Sequence, residues 1–300
     1  MVTGYYPTTQ KEALEEKSMY PDALLISGGT DAMVVKKKAE HIIFLNNVKD
    51  MQSVEENSKS ILIGAGCCYT DLIANPIVPE MLKKAMRNIA SPAIRSAGTL
   101  AGNICNASPA GDTLPVLYAL NASVMIASWQ NGSVVNRKVL VKDFILGIRK
   151  IDLKENELVV AIEIPKEFLE KDPLIYYEKV GARKAEAISK LSFVGACALK
   201  DGHVEDIRIA FGSVGITALR FLDLEERMKG KSLSEIEALK PEIIEAYMER
   251  IHPIDDQRST AAYRRQVCRN LLGDFFAARW EEACYLSETA TYIQDQRKAG

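Results

Sequence analysis

Residues 23–31 read Ala-Leu-Leu-Ile-Ser-Gly-Gly-Thr-Asp. The apolar run 23–27 predicts a buried strand, and a predicted helix begins at Ala32, directly after the paired glycines. Consecutive glycines can adopt positive φ angles and allow main-chain N–H groups to approach a ligand closely. The start of a helix adds unpaired N–H donors, which favour an anion. The segment therefore indicates either an anion-binding turn or a plain strand-to-helix turn.

A second unusual segment, residues 95–112, reads Arg-Ser-Ala-Gly-Thr-Leu-Ala-Gly-Asn-Ile-Cys-Asn-Ala-Ser-Pro-Ala-Gly-Asp. Glycines and Ser, Thr and Asn donors dominate it, and no acid occurs before Asp112. We predict a long loop over 91–111, followed by a helix over 113–120 that Asp112 caps. Long ordered loops are uncommon unless they are functional. Two such segments in one domain favour a dinucleotide ligand.

The remaining pattern predicts an α+β fold. Strands are predicted over residues 41–45, 60–63, 123–128, 134–139, 157–164, 174–180, 191–199 and 204–211. A polar stretch bracketed by Pro165 and Pro173 marks a domain boundary. We expect a first domain over 1–170, with subdomains over about 1–55 and 56–170, and a second domain over 171–290. A long helix over about 259–286 ends the second domain, and the preceding motif 253–265 indicates either anchoring of that helix or docking of a partner.

Composition excludes several classes of protein. The chain of 300 residues carries 38 Lys and Arg against 40 Asp and Glu, so it lacks the basic excess of a nucleic-acid binder. No apolar run is long enough for a membrane helix, and no secretory signal is recognisable at the start. The six cysteines contain no C-x-x-C pair, which predicts reduced thiols and a cytoplasmic location. The adjacent pair Cys67 and Cys68 has no assigned role.

Other catalytic motifs are absent from the sequence. The Gly64-Ala-Gly66 stretch lacks the third glycine of a dinucleotide fingerprint, and no Walker A motif occurs. The three histidines are scattered and form no recognisable triad, and no metal-ligand spacing is present. We therefore assign no catalytic acid, base or nucleophile and no metal site to this chain.

In combination, several motifs resemble the FAD-binding (medium) subunit of the molybdenum hydroxylases, the family of xanthine, nicotinate and carbon monoxide dehydrogenases. The resemblance covers about residues 4–285. It is carried by the segments Tyr6-Pro7, Ile26-Ser-Gly-Gly-Thr-Asp31, Ser91-Pro-Ala-Ile-Arg95, Thr99-Leu-Ala-Gly-Asn-Ile-Cys-Asn-Ala-Ser-Pro-Ala-Gly-Asp112, Lys179-Val-Gly-Ala-Arg183 and Pro253-Ile-Asp-Asp-Gln-Arg-Ser-Thr-Ala-Ala-Tyr-Arg-Arg265.

The resemblance implies a two-subdomain FAD-binding domain of the vanillyl-alcohol-oxidase type, followed by a domain with a three-stranded antiparallel sheet and helices. It also implies that two loops embrace the pyrophosphate of non-covalent FAD. Their residues are Leu25, Ile26, Ser27, Gly28, Gly29, Thr30, Asp31, Ala32 and Met33 in the first loop and Thr99, Leu100, Ala101, Gly102 and Asn103 in the second. By the same resemblance, Asp112 binds the adenosine part and Val159 lies near the flavin ring, while Ile89 and Lys179 also belong to the cofactor site.

The implied activity is electron transfer. A molybdopterin-binding large subunit would hydroxylate the substrate, an N-heteroaromatic such as nicotinate or a purine. A small subunit with [2Fe-2S] clusters would pass electrons to FAD, which delivers hydride to NAD+ or NADP+. The whole complex would be a dimer of such heteromers. Two other classes stay open: a free-standing FAD-dependent oxidase or reductase, and a non-catalytic nucleotide-binding module.

Overall fold

The computed structural model describes residues 2–35 and 38–277 of the chain. The first part forms a small parallel sheet in the order β1-β3-β2. Its elements are β1 Thr3–Tyr5, α1 Gln10–Met19, β2 Leu24–Ile26, α2 Ala32–Val35 and β3 His41–Phe44. Helix α1 begins with a capping box, in which Thr9 binds the N–H of Glu12 and Glu12 binds the N–H of Thr9.

A five-stranded antiparallel sheet follows, in the order β4-β5-β10-β6-β7. Its strands are β4 Val54–Glu56, β5 Ser60–Gly64, β6 Ser123–Gln130, β7 Ser133–Leu140 and β10 Glu157–Pro165. A short hairpin, β8 Ile145–Gly147 and β9 Lys150–Ile151, precedes β10. The helices of this part are α3 Tyr69–Ala74, α4 Glu80–Arg87, α5 Pro92–Arg95, α6 Leu100–Asn106, α7 Leu114–Ala119 and α8 Val141–Phe144.

The last part is a four-stranded antiparallel sheet in chain order, covered by helices. Its elements are β11 Leu174–Val180, β12 Leu191–Lys200, β13 His203–Gly212, β14 Leu219–Arg220, α9 Leu222–Glu226, α10 Leu233–Arg250 and a helix over residues 261–277, α11. The carboxylate of Asp255 accepts a hydrogen bond from the N–H of Ala261, and that of Asp256 binds Arg264, so the 253–265 motif anchors the start of α11. The predicted extension of this helix over 278–286 lies outside the described residues.

Two hydrophobic clusters hold these layers together. The larger contains the central strand β10, whose Leu158 and Ile162 are fully buried, and it continues into Val194 and Ala210 of the last sheet. The smaller packs α10 and α11 on the other face of that sheet, around Phe193. Since both faces of the last sheet are covered, β12 is apolar along nearly its whole length rather than alternating.

Helix α7 ends against the last sheet, and two arginines from that sheet bind its final carbonyl groups. Arg208 donates to the carbonyl oxygen of Ala119 at 2.8 Å, and Arg220 donates to that of Tyr118 at 2.6 Å. The last carbonyl groups of a helix have no partner within the helix. Side chains from the C-terminal sheet therefore complete an element of the N-terminal part.

The structure corrects three local predictions. Residues 91–111 are not one loop, because they contain α5 and α6. Asp112 does not cap α7: that helix has Thr113 at its N-cap with no side-chain cap bond, and the Asp112 carboxylate binds groups of the last sheet region instead. The last sheet has a fourth strand, β14, which consists of only two residues. No helix within the described ranges is both long and apolar enough to cross a lipid bilayer.

Candidate functional site

A cleft of about 1010 Å³ separates the small parallel sheet from the helices α5 and α6. Most of the residues predicted for the cofactor site line it: Leu25, Ile26, Ser27, Gly28, Gly29, Thr30, Asp31, Ala32, Ile89, Thr99, Gly102 and Asn103. The structure thus brings together the two segments that the sequence singled out, although residues 32–94 lie between them in the chain. Met33, Leu100, Ala101, Asp112, Val159 and Lys179 do not line it.

The turn between β2 and α2 forms one wall. Gly29 has a φ of 68°, which glycine adopts without strain. A β-carbon on Gly28 would lie 1.8 Å from the carbonyl oxygen of Ala97, so this glycine lets the turn touch the segment before α6. The main-chain N–H groups of Gly28, Gly29 and Thr30 donate no hydrogen bond to any residue that the structure describes. Three free donors in one turn fit a phosphate ligand.

The opposite wall is the start of α6. Thr99 is its N-cap, and the Thr99 hydroxyl accepts a hydrogen bond from the N–H of Gly102 at 3.0 Å. The hydroxyl of Thr113 donates to the side-chain oxygen of Asn103 at 2.6 Å, which fixes the orientation of that amide and leaves its NH₂ group for a ligand. Because Gly102 has no side chain and lines the cleft, a ligand can approach this turn closely.

Asp112 and Lys179 form a buried ion pair behind the cleft. The Nζ of Lys179 lies 2.6 Å from Oδ2 of Asp112, and the hydroxyl of Ser189 donates to the other carboxylate oxygen. Burial raises the pKa of the Asp112 carboxyl, while its bonds to Lys179 and Ser189 oppose that rise. Lys179 also donates to the carbonyl oxygen of Asn88 at 2.7 Å, next to the cleft residue Ile89. The pair therefore supports the cleft wall through residues 88–89.

Four further residues predicted for the cofactor site do not line the cleft, and their positions differ. Val159 is buried on β10, next to an irregularity in its pairing with β6. Leu100 and Ala101 are buried on the inner side of α6, whereas the Met33 side chain is 72% exposed. These residues support the walls or lie beside them, and their predicted contacts with the cofactor stay predictions.

Sequence reasoning missed several residues of the cleft. They include Lys17 of α1, Tyr69 of α3, Arg149 of the β8–β9 hairpin and Glu157 of β10. Each comes from a segment without a recognisable motif, and only the folding of distant segments brings them to the cleft.

The charged members of this missed group already have protein partners. Lys17 donates to the carbonyl oxygens of Pro21 and Ala23, and burial lowers its pKa. Glu157 binds Arg137, with 2.7 Å between the closest atoms, and this pairing holds the pKa of the Glu157 carboxyl below its usual value. No group of three or more His, Cys, Asp or Glu side chains within residues 2–35 and 38–277 is arranged to hold a metal ion. The geometry suits binding of a ligand more than acid–base chemistry.

Comparison with known protein families agrees with this description. The family described as "FAD binding domain in molybdopterin dehydrogenase" matches residues 1–167, and "CO dehydrogenase flavoprotein C-terminal domain" matches residues 176–278. The chain therefore belongs to the family of FAD-binding subunits of molybdenum hydroxylases, as the resemblance of its motifs indicated.

Individual relatives span most of the chain. The glyceraldehyde dehydrogenase medium chain of Sulfolobus acidocaldarius is 32% identical over 235 residues, which is 77% of this chain and 80% of the relative. The carbon monoxide dehydrogenase medium chain of Hydrogenophaga pseudoflava is 29% identical over 270 residues (86% and 90%). The xanthine dehydrogenase FAD-binding subunit of Escherichia coli O157:H7 is 26% identical over 271 residues (88% and 90%).

Among solved structures, carbon monoxide dehydrogenase from Hydrogenophaga pseudoflava, in a form that lacks the Mo-pyranopterin moiety, contains a similar chain. The TM-score is 0.80 at 27% sequence identity, over 90% of this chain and 94% of that chain. The similarity covers both the cleft-bearing part and the C-terminal sheet, so the whole described architecture is that of the family.

Proposed function

We propose that this chain binds FAD non-covalently in the cleft and relays electrons within a molybdenum hydroxylase complex. The observation that carries the proposal is the turn at a cleft bordered by α6, in which the main-chain N–H groups of Gly28, Gly29 and Thr30 have no partner among residues 2–35 and 38–277. The pyrophosphate would lie against this turn and the start of α6. Bound FAD supplies one- and two-electron transfer, and the protein binds and orients it.

The other predicted site residues have supporting roles in this proposal. Ile89, the segment 25–32 and residues Thr99, Gly102 and Asn103 line the walls, while Asp112 and Lys179 hold the wall around Asn88 in place. The adenosine contact of Asp112 and the flavin contact of Val159 remain part of the proposal, although both residues are largely buried by the protein itself. We also propose that residues 1–170 and 171–290 act as the FAD-binding and C-terminal domains.

The complex would place this chain between two other redox centres. A small subunit with [2Fe-2S] clusters would deliver electrons, and FAD would pass them as hydride to NAD+ or NADP+. A molybdopterin-binding large subunit would hydroxylate an N-heteroaromatic substrate, such as nicotinate or a purine. The similarity to a xanthine dehydrogenase subunit supports a purine, whereas the aldehyde and carbon monoxide dehydrogenase subunits provide competing precedents. We propose a cytoplasmic dimer of such heteromers.

An anaerobic titration tests the relay. The full chain is loaded with FAD, and NADH and then NADPH are added while the visible flavin spectrum is followed. Bleaching by one of them supports hydride exchange and identifies the nicotinamide partner. A chain that is colourless once unbound FAD has been removed contradicts the proposed function, and a yellow chain that neither reagent bleaches contradicts the proposed acceptor.

Copurification distinguishes a relay subunit from a free-standing oxidase. A tagged chain is isolated from its native host and analysed for molybdenum, iron and copurifying subunits. The proposal predicts molybdenum and iron in fixed ratio to flavin. A monomeric yellow protein that oxidises a substrate by itself would favour the free-standing oxidase or reductase instead.

A further inference from the structure

Arg149 connects the two segments that border the cleft. It lies in the turn between β8 and β9, and its Nη1 is 2.9 Å from Oδ2 of Asp31 in the first segment. Its main-chain N–H donates to the carbonyl oxygen of Ala107, at the end of α6, at 3.1 Å. One residue thereby ties the β2–α2 turn to the helix that forms the opposite wall.

The backbone of Arg149 supports a role for its side chain. Its φ of 58° lies in the left-handed region, which favours glycine. Residues held in this region cluster at functional sites, where other interactions maintain them. An arginine therefore stands at a turn position that glycine would occupy with less strain. Arg149 also lines the cleft.

The Asp31–Arg149 pair affects the charge that the cleft presents to a ligand. The β2–α2 turn offers an anion three N–H groups that bind nothing in the described part of the chain, but it also carries the Asp31 carboxylate at the cleft. An unpaired carboxylate there would repel a phosphate group. The Arg149 guanidinium compensates that charge, and among the described residues Asp31 is the only hydrogen-bonding partner of this side chain. Its other N–H groups stay available to a ligand, since a guanidinium carries five donors.

We propose that the Asp31–Arg149 ion pair acts as a unit that completes the part of the FAD site where the cofactor's pyrophosphate would bind. The pair neutralises the carboxylate of the binding turn and holds that turn against the end of α6. This inference rests on the proposed function, because it presupposes FAD in the cleft.

The fold itself should depend little on the pair. Its two side chains are 50% and 46% exposed, and exposed ion pairs contribute little to folding stability. Cofactor retention and stability of the cofactor-free chain are therefore separate readouts. A purely structural surface bridge would change neither the affinity for FAD nor its rate of release.

The first test compares Arg149→Ala with a matched control, Arg87→Ala. Arg87 forms an ion pair with Glu80 of similar exposure, and neither residue lines the cleft. We expect Arg149→Ala to weaken FAD binding about tenfold, as loss of a charge-assisted contact does, and to speed FAD release from the full chain. The control variant should match the wild type, and the cofactor-free chains should melt alike. Equal affinity of the two variants would overturn the proposal.

A second variant tests whether the pair acts as a unit. In the Arg149→Ala background, Asp31→Asn removes the uncompensated carboxylate, so we expect the double variant to recover several-fold in FAD affinity. Failure to recover would overturn the proposal. If the wild-type chain retains no FAD, the proposed function fails, whereas normal wild-type retention with an unaffected Arg149→Ala variant contradicts only this inference.

Discussion

The Nζ of Lys179, on β11, lies 2.6 Å from Oδ2 of Asp112, which directly precedes the Thr113 cap of α7. Only 9% and 8% of the two side chains remain exposed. A charge removed from water to this degree needs its partner, because desolvation of an isolated ion is costly. The pair therefore fixes the position of the C-terminal sheet against the part of the chain that contains the cleft.

Removing either partner should destabilise the chain strongly. We expect Asp112→Asn and Lys179→Met each to lower the free energy of unfolding by about 3–5 kcal/mol, because each leaves a buried group without its partner. Urea denaturation measures these losses. The double variant should lose less than the sum of the two, and strictly additive losses would contradict the coupling.

Gly28 should be intolerant of even a methyl group. A β-carbon there would lie 1.8 Å from the carbonyl oxygen of Ala97, so Gly28→Ala must push the β2–α2 turn away from the segment before α6. We expect a loss of about 1–3 kcal/mol in stability and weaker FAD binding. Thermal melts and fluorescence titration with FAD measure the two effects.

Gly273 provides the control for this substitution. It lies in the helix over 261–277, and a β-carbon there would meet no atom of the described residues within 4 Å, apart from those of its chain neighbours and the helix's own backbone. Gly273→Ala should be neutral or stabilise the chain by up to about 1 kcal/mol through helix propensity. Equal behaviour of the two variants would refute the close contact at Gly28.

The contribution of Asp256 to the free energy of unfolding should depend on pH. Its hydrogen bond from Arg264 leads the interactions that lower the pKa of the Asp256 carboxyl to about 2. Since this pKa lies below the unfolded value, the folded chain binds fewer protons, and the stabilisation is complete above about pH 4 and lost as the pH falls towards 2. The stability difference between the wild type and Asp256→Asn should shrink over that interval. A difference that stayed constant in acid would contradict this role.

The described thiols should react slowly. Burial raises the pKa of the Cys67 thiol to about 11 and that of Cys105 to about 12, so little thiolate exists at pH 7.5. Maleimide labelling, read peptide by peptide with mass spectrometry, should modify the less buried Cys68 before Cys67. Labelling of Cys67 as fast as in the unfolded chain would contradict this order.

Local patterns predict much of the framework. The Thr9 capping box, the turn at Asn131 and Gly132, and the strand that leads into the paired glycines all depend on neighbours in the sequence, and all occur in the structure. The walls of the cleft could be predicted because glycines and small polar residues in such density are unusual in a packed domain. The long strands β10 and β12 likewise follow from continuous apolar runs.

The sequence-based predictions fail where residues far apart in the chain determine the local structure. The sequence does not reveal α6 because Gly102 is a poor helix former, although Thr99 caps this helix, and α5 is a single turn of four residues that is too short to show a helical pattern. The position of Asp112 just before α7 is typical of a helix cap, but its carboxylate binds Lys179, which lies 67 residues further along the chain. The same holds for Arg149 and Asp31, which lie 118 residues apart and share no sequence pattern that would connect them.

Arg208 and Arg220 connect the two sides of the linker between Pro165 and Pro173. Both reach back to the final carbonyl groups of α7, so the segment before the linker is finished by residues encoded after it. A break in the chain at the linker would leave the last carbonyl groups of α7 and the Asp112 carboxylate without these partners, whereas Arg208 and Arg220 would keep their ion pairs with Asp206 and Glu225. The end of α7 therefore depends on side chains from the part of the chain after the linker, so the first part should be less stable when expressed alone.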